Sequence, residues 1–260
     1  MVEEVFMKLG ARVCIKVNDR LSVPVTMDIQ RDRRGEFFVL WHNPNLTPDI
    51  TILNVQPKDR HLLLMARAGK EKQKFLCGHD ERHWFVAAIP ESAPVSSVAR
   101  AKAALKPTEV LEREERMAIR TKNKDRRRNR AFVRQGEWFF LPQRELHAPE
   151  RLILKNEPLV RSRMGKPHLA EECYRTGGEL VYVSSLAPEG LSEEAYRKYL
   201  QGNPGASRYP WRTMQRNPQV YVRGRITHPD HATVLLTVWH RVCMNTETQA
   251  KANAAVVFLD

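Results

Sequence analysis

The first third of the chain alternates short apolar runs with residues that favour turns. Runs of this length, rich in β-branched and aromatic side chains, predict strands. The intervening segments include Gly78-His79-Asp80, which combines glycine freedom with a turn-forming aspartate and predicts a turn. Because the runs follow one another closely, we expect neighbours to pair antiparallel. The predicted strands are Val13 to Val17, Phe37 to Trp41, Ile50 to Val55, Leu62 to Ala66, Phe75 to Cys77 and Trp84 to Ile89.

Helical spacing replaces this alternation near residue 93. Val98, Ala101 and Leu105 share one helical face, and Thr108 is placed to cap a second helix that leads into a basic stretch. The predicted fold class is therefore α+β, with two antiparallel strand-rich halves joined by a helical, strongly basic connector. The predicted divisions are an N-terminal β-rich domain over 1–92, the connector over 93–131 and a C-terminal α+β domain over 132–260.

The second half predicts two helices and a hairpin. A proline before His168 and two glycines after Thr176 predict a helix over 168–176. A second helix is predicted from Ser192 to Gly202. Two apolar runs, over 220–226 and 232–242, predict a hairpin whose tip is His228-Pro229-Asp230-His231.

Charge narrows the class of partner. The chain has 43 lysines and arginines against 30 acidic residues, a formal net charge of +13. Eight of the basic residues lie between Arg120 and Arg134, where Asp125 is the single acidic residue. Closely spaced guanidinium groups are typical of proteins that neutralise a phosphate backbone and release its counterions. Nucleic acid is the favoured partner, and an anionic membrane surface, an acidic protein or a plain solvated face are alternatives.

Aromatic residues accompany basic ones in the second half. On a strand, Tyr221, Arg223 and Arg225 share one face, and Tyr209 and Trp211 lie between arginines. Stacking combined with backbone charge is typical of single-strand binding, so RNA or single-stranded DNA is favoured over duplex. The predicted nucleic-acid-binding residues are Lys122, Lys124, Arg126, Arg127, Arg128, Arg130, Arg134, Arg161, Arg163, Lys166, Tyr209, Trp211, Arg212, Arg216, Tyr221, Arg223 and Arg225.

Histidines raise a competing hypothesis. If 168–176 is a helix, His168 and Glu172 share a face that can pack near the predicted hairpin tip. Two imidazoles and a carboxylate can hold a divalent ion or act as acid and base near neutral pH. The candidate catalytic residues are His168, His228, Asp230 and His231, and the candidate metal ligands are His168, Glu172, His228 and His231. The same residues can equally serve as turn and core residues, so catalysis by a metal-assisted nuclease or hydrolase stays open.

Other features restrict the remaining classes. No phosphate-binding loop, dinucleotide fingerprint, nucleophile elbow or zinc-protease helix occurs in the sequence, so no cofactor other than a divalent metal is expected. No apolar run approaches the roughly 18 residues of a membrane span, and Glu3 and Glu4 lie where a signal peptide would carry positive charge. We therefore expect a cytoplasmic protein without a membrane partner. A structural subunit of a ribonucleoprotein or defence-type complex is a third hypothesis.

Overall fold

The computed structural model describes residues 2–80, 82–160 and 166–249. The described residues divide into two compact units: unit 1 comprises those up to 139 and 243–249, and unit 2 comprises those over 140–242. Both units are mixed and strand-rich, and all described strand pairs but one are antiparallel, so the α+β prediction is confirmed at that level. The helical connector is not confirmed, because residues 93–131 form three short helices inside unit 1.

Unit 1 contains two sheets, with strand orders β1-β3-β2 and β4-β5-β6-β7, and β1 runs parallel to β3. All six predicted strands are present, whereas β2 was not predicted because polar residues interrupt its apolar positions. The strands assigned here to unit 1 are β1 (Val13–Val17), β2 (Val25–Asp32), β3 (Gly35–His42), β4 (Asp49–Gln56), β5 (His61–Ala68), β6 (Glu71–Asp80), β7 (His83–Ile89) and β8 (Val133–Gln135). Strand β9 (Trp138–Pro142) contains the boundary after Phe139.

The turn predicted at Gly78-His79-Asp80 is wrong, since these residues are the end of β6 and pair with β7. Gly78 is needed for space rather than for a turn. A Cβ atom at this position would lie 2.4 Å from Cδ2 of His61 and 2.8 Å from Cε1 of Phe85. The rings on the two neighbouring strands therefore fill the volume that any side chain at position 78 would require.

Strand β5 lies at the centre of the hydrophobic core. Leu62 and Leu64 pack on one face of the sheet with Phe6 and Phe38, and Leu63 packs on the other face. Both faces are thus buried, which explains why β5 is a continuous apolar run instead of an alternating one.

The helices of unit 1 are short. They are α1 (Val2–Lys8), α2 (Val98–Ala104), α3 (Thr108–Arg116) and α4 (Thr121–Lys124). Ser97 caps α2 by accepting from the backbone N–H of Arg100. The cap predicted for α3 is wrong by one residue: Pro107 is the N-cap and Thr108 begins the helix. Within the described part of the chain, no helix combines the length and the apolar character needed to cross a bilayer.

Unit 2 contains the strand order β10-β11-β15-β16, a three-stranded sheet in the order β13-β12-β14, and one helix. Its elements are β10 (Leu154–Leu159), β11 (His168–Thr176), β12 (Glu179–Ser184), β13 (Ala187–Ser192), α5 (Glu193–Gly202), β14 (Arg212–Arg216), β15 (Gln219–His228) and β16 (His231–Met244), whose last residues lie beyond the unit boundary after Val242. The helix starting after Ser192 and the hairpin β15–β16 are confirmed.

The helix predicted over 168–176 is wrong, because this segment is β11. Leucine, alanine and two glutamates give it a local helix preference, but pairing with β10 on one side and β15 on the other outweighs that preference. His168 and Ala170 are buried, whereas Leu169 and Glu171 are exposed, which is the period-two pattern of a strand.

Candidate functional site

The basic segment of unit 1, residues 120–134, is anchored by a buried ion pair. Lys106 and Glu114 are 6% and 1% exposed, and Nζ of Lys106 lies 2.9 Å from Oε1 of Glu114. The same ammonium group donates to the carbonyl oxygen of Lys124 at 2.8 Å. Removing either partner of such a pair would leave an uncompensated buried charge, which is strongly destabilising. The contact fixes the end of α4 against the segment that begins α3.

Asn129 shapes the chain after α4. Its side-chain oxygen accepts from the backbone N–H groups of Ala131 and Phe132 at 2.8 and 3.1 Å, and its amide nitrogen donates to the carbonyl of Asn123 at 3.2 Å. Ala131 and Phe132 are buried. The turn thus places apolar residues in the core and leaves Arg126, Arg128 and Arg130 exposed.

Two of the predicted phosphate-binding arginines pair with a carboxylate of unit 1. Asp80, at the end of β6, forms ion pairs with Arg127 and with Arg134, the latter at 3.2 Å. Its side chain is 22% exposed. These two guanidinium groups therefore hold the basic segment to the sheet. Asp80 lies 47 residues before Arg127, so local sequence gave no signal for the pairing.

Four other arginines line a pocket of about 430 Å³. A volume of this size falls at the lower end of the range of about 300–1,000 Å³ typical of ligand sites. Among the residues that the structure describes, the lining includes no acidic side chain. The lining residues are Ala118, Ile119, Arg120, Asn123, Arg126, Arg128, Asn129 and Arg130. Of the predicted set, Lys122 and Lys124 lie next to this pocket in α4 but do not line it.

The predicted basic residues of unit 2 are largely paired with carboxylates. Arg216 contacts Glu179 at 2.6 Å, Arg223 contacts Glu172 at 2.5 Å, Arg225 contacts Glu171 at 3.3 Å, and Lys166 contacts Asp230 at 2.9 Å. Val220, Val222 and Ile226 are buried and form the core face of β15. On the opposite face, the arginines of β15 lie beside glutamates of β11. This face therefore has less net positive charge than the sequence of β15 alone indicates. Arg161 and Arg163 lie outside the described residues.

The aromatic residues of unit 2 differ in availability. Tyr209 is 46% exposed. Trp211 meets the ring of Tyr196 edge-on at 4.8 Å, and its indole N–H donates to the carbonyl of Ala206 at 2.9 Å. Tyr221 stacks with Tyr174 at 6.2 Å. Trp211 therefore packs within its own unit, and Arg212 beside it is exposed.

Three of the predicted metal ligands meet at one end of unit 2. Leu169 pairs with Thr227, so His168 and His228 are the next residues along their strands, and His228 pairs with His231 across the hairpin. The rings of His168 and His228 stack at 4.2 Å, and those of His228 and His231 at 4.7 Å. One ligand atom from each residue lies within 4.8 Å of the others.

His168 is the buried member of this cluster, at 1% exposure. Burial, followed by the nearby rings of His228 and His231, lowers the pKa of His168 to about 3. Its imidazole is therefore neutral at pH 7, the form in which histidine binds metal ions.

Glu172 does not join the histidines. On a strand it lies about 13 Å along the chain from His168, instead of one helical turn away. Its carboxylate accepts from Arg223 and from Lys155 at 2.6 Å, and Arg223 first, then Lys155, lowers the pKa of Glu172. Asp230 lies at the hairpin tip beside the histidines, where it accepts from Nζ of Lys166.

Comparison with protein-family models, curated proteins and solved structures gives no match to this chain. The arginine-lined pocket of unit 1 and the histidine cluster of unit 2 are therefore interpreted from their own chemistry.

Proposed function

We propose that this protein binds nucleic acid by receiving backbone phosphates in the arginine-lined pocket of unit 1. The proposal is supported chiefly by one observation, the four guanidinium groups around a concave space whose described lining is free of carboxylates. A guanidinium presents N–H groups in a planar fork that matches two phosphate oxygens. Several such groups around one space favour a polyanion over a single carboxylate ligand.

Single-stranded RNA or DNA is the proposed ligand. A single strand can turn its backbone and direct a phosphate into a recess, whereas a duplex holds its phosphates on a stiff, convex surface. Arginine planes also stack on unpaired bases, so the same side chains can contact base and phosphate. A subunit of a ribonucleoprotein would use the pocket in the same way to hold its RNA.

The experiment compares two triple variants that remove the same charge. Arg126→Ala, Arg128→Ala and Arg130→Ala empty the pocket of three guanidinium groups. Arg31→Ala, Arg33→Ala and Arg34→Ala remove three exposed arginines at the β2–β3 hairpin of the same unit. Affinity for labelled single strands of several sequences is measured by fluorescence anisotropy at 0.1 M salt, after circular dichroism has verified folding.

We expect the pocket variant to lose at least about tenfold in affinity on every sequence, because hydrogen bonds to charged groups contribute about 1.5–3 kcal/mol each. The control variant should stay within a few-fold of wild type. Equal losses in the two variants would show that net charge alone drives binding and would contradict a pocket. Tighter binding of duplex than of single strands would contradict the proposed ligand.

Metal-assisted hydrolysis is a second candidate function, favoured by the convergence of His168, His228 and His231. A zinc ion held by three histidines keeps a position for water, whose pKa it lowers to about 7. If this function is correct, labelled RNA or DNA is cleaved when Zn²⁺ or Co²⁺ is added, and His231→Gln abolishes cleavage while leaving binding intact. Intact substrate with every divalent ion tested would leave binding as the only proposed function.

A further inference from the structure

The histidine cluster of unit 2 has a ligand chemistry of its own, independent of whether the chain binds or cleaves nucleic acid. His168 begins β11, and His228 and His231 are the residues on either side of the two-residue tip of β15–β16. The strand register therefore brings the imidazole of His168 next to those of His228 and His231, which follow it by 60 and 63 residues in the sequence. No carboxylate belongs to this group among the described residues.

The donor set selects the type of ion. Imidazole nitrogen suits Zn²⁺, Cu²⁺, Ni²⁺ and Co²⁺, whereas Mg²⁺, Ca²⁺ and Mn²⁺ favour carboxylate and carbonyl oxygens. Tetrahedral zinc with nitrogen ligands at about 2.0–2.1 Å requires those nitrogens to lie about 3.3 Å apart. The ligand atoms here lie within 4.8 Å of one another, and His228 and His231 are only partly buried at a hairpin tip. Binding an ion would therefore require these two side chains to rotate so that the nitrogens approach one another.

The hydrogen bonds of His228 define how it would bind. Its Nδ1 accepts from the backbone N–H of Asp230 at 3.1 Å, so in the neutral ring the proton resides on Nε2, which faces the carbonyl oxygen of Lys166 at 3.3 Å. A metal-bound histidine usually donates its other ring N–H to an acceptor such as a backbone carbonyl oxygen. The lone pair of Nδ1 is then available once the ion replaces the Asp230 N–H.

We propose that His168, His228 and His231 form a binding site for a zinc-class transition-metal ion, without Glu172. The metal would tie the start of β11 to the β15–β16 tip. It would also keep at least one coordination position for water or another ligand, because the protein supplies three nitrogens.

The test is a titration of the full, tag-free chain with Zn²⁺ by calorimetry and with Co²⁺ by visible absorption. Wild type should bind one ion per chain, and Co²⁺ should develop the d–d bands of a four-coordinate site with three nitrogen ligands. His228→Gln and His231→Gln should each lower affinity at least about tenfold, since even outer-shell changes cost about 10–100-fold. These two residues are chosen because they are partly exposed, whereas a change at buried His168 also perturbs packing.

Two matched controls separate this site from general histidine binding. His147→Gln changes an exposed histidine of the same unit, and Glu172→Gln removes the carboxylate that pairs with Arg223. Both should bind Zn²⁺ like wild type, and Zn²⁺ but not Mg²⁺ should raise the thermal midpoint of wild type and of both controls. Wild-type affinity in His228→Gln and His231→Gln, a tenfold loss in either control, or no binding by wild type would overturn the proposal.

Discussion

At the residue scale, Lys106 determines whether the basic segment can hold its shape. Lys106 is buried, pairs with Glu114 and donates to the carbonyl oxygen of Lys124. Lys124 lies two residues before Arg126, which lines the pocket. A phosphate-binding surface needs its guanidinium groups held close together against their mutual repulsion. The buried ammonium group provides a fixed point for the segment that carries them.

A double-mutant cycle tests this interpretation. Lys106→Met leaves the carboxylate of Glu114 buried without its cation and should lower the free energy of unfolding by about 3–5 kcal/mol. Glu114→Gln should cost a similar amount, and the double variant should cost clearly less than the sum of the two. Urea unfolding gives the three values. Additive losses would mean that the two side chains contribute separately and that the ion pair is not the anchor.

The sequence showed that arginines are concentrated in this segment, but it did not show which of them pair with Asp80 and which line the pocket. The sequence shows eight basic residues in one stretch, and all of them except Arg120 were candidates for phosphate contact. Arg127 and Arg134 instead pair with Asp80, a residue of a distant strand. Only the folded chain brings that carboxylate to the segment, so no local pattern distinguishes these two arginines from those that line the pocket.

At the element scale, short apolar runs identified most strands of unit 1, whereas β11 was wrongly predicted to be a helix. The apolar runs of unit 1 predict strands because both local preference and burial favour extended structure. In β11 local preference favours a helix, but hydrogen-bonded pairing with β10 and β15 outweighs that preference. The loss of Glu172 from the candidate metal site follows directly, because its inclusion depended on helical spacing. His168, His228 and His231 were correctly grouped, although the reason is strand register.

Gly78 allows an element-scale test of packing. Gly78→Ala places a Cβ atom within 3 Å of the rings of His61 and Phe85, and overpacking of this kind typically costs about 1–3 kcal/mol. The thermal midpoint should fall accordingly. Gly202→Ala is the control, since a Cβ there meets nothing within 4 Å at the end of α5, and it should be neutral or slightly stabilising. Equal effects of the two substitutions would refute the packing role assigned to Gly78.

At the scale of the whole molecule, the net charge is +13, and the basic residues of the two units have different surroundings. In unit 2, most of the basic residues on β14 and β15 have carboxylate partners. In unit 1, four arginines surround a pocket whose described lining has no acidic residue. Composition alone predicted a polyanion partner, and we propose the arginine-lined pocket of unit 1 as its binding site.

The most direct measurement of the central claim is the dependence of single-strand affinity on salt. If Arg126, Arg128 and Arg130 each contact a phosphate, the slope of log affinity against log salt should become shallower by about 2 when all three are alanine, since each phosphate contact contributes about 0.7 for a single strand. The Arg31, Arg33 and Arg34 variant should keep the wild-type slope. A pocket variant with an unchanged slope, or a control that flattens as much, would contradict phosphate binding in this pocket.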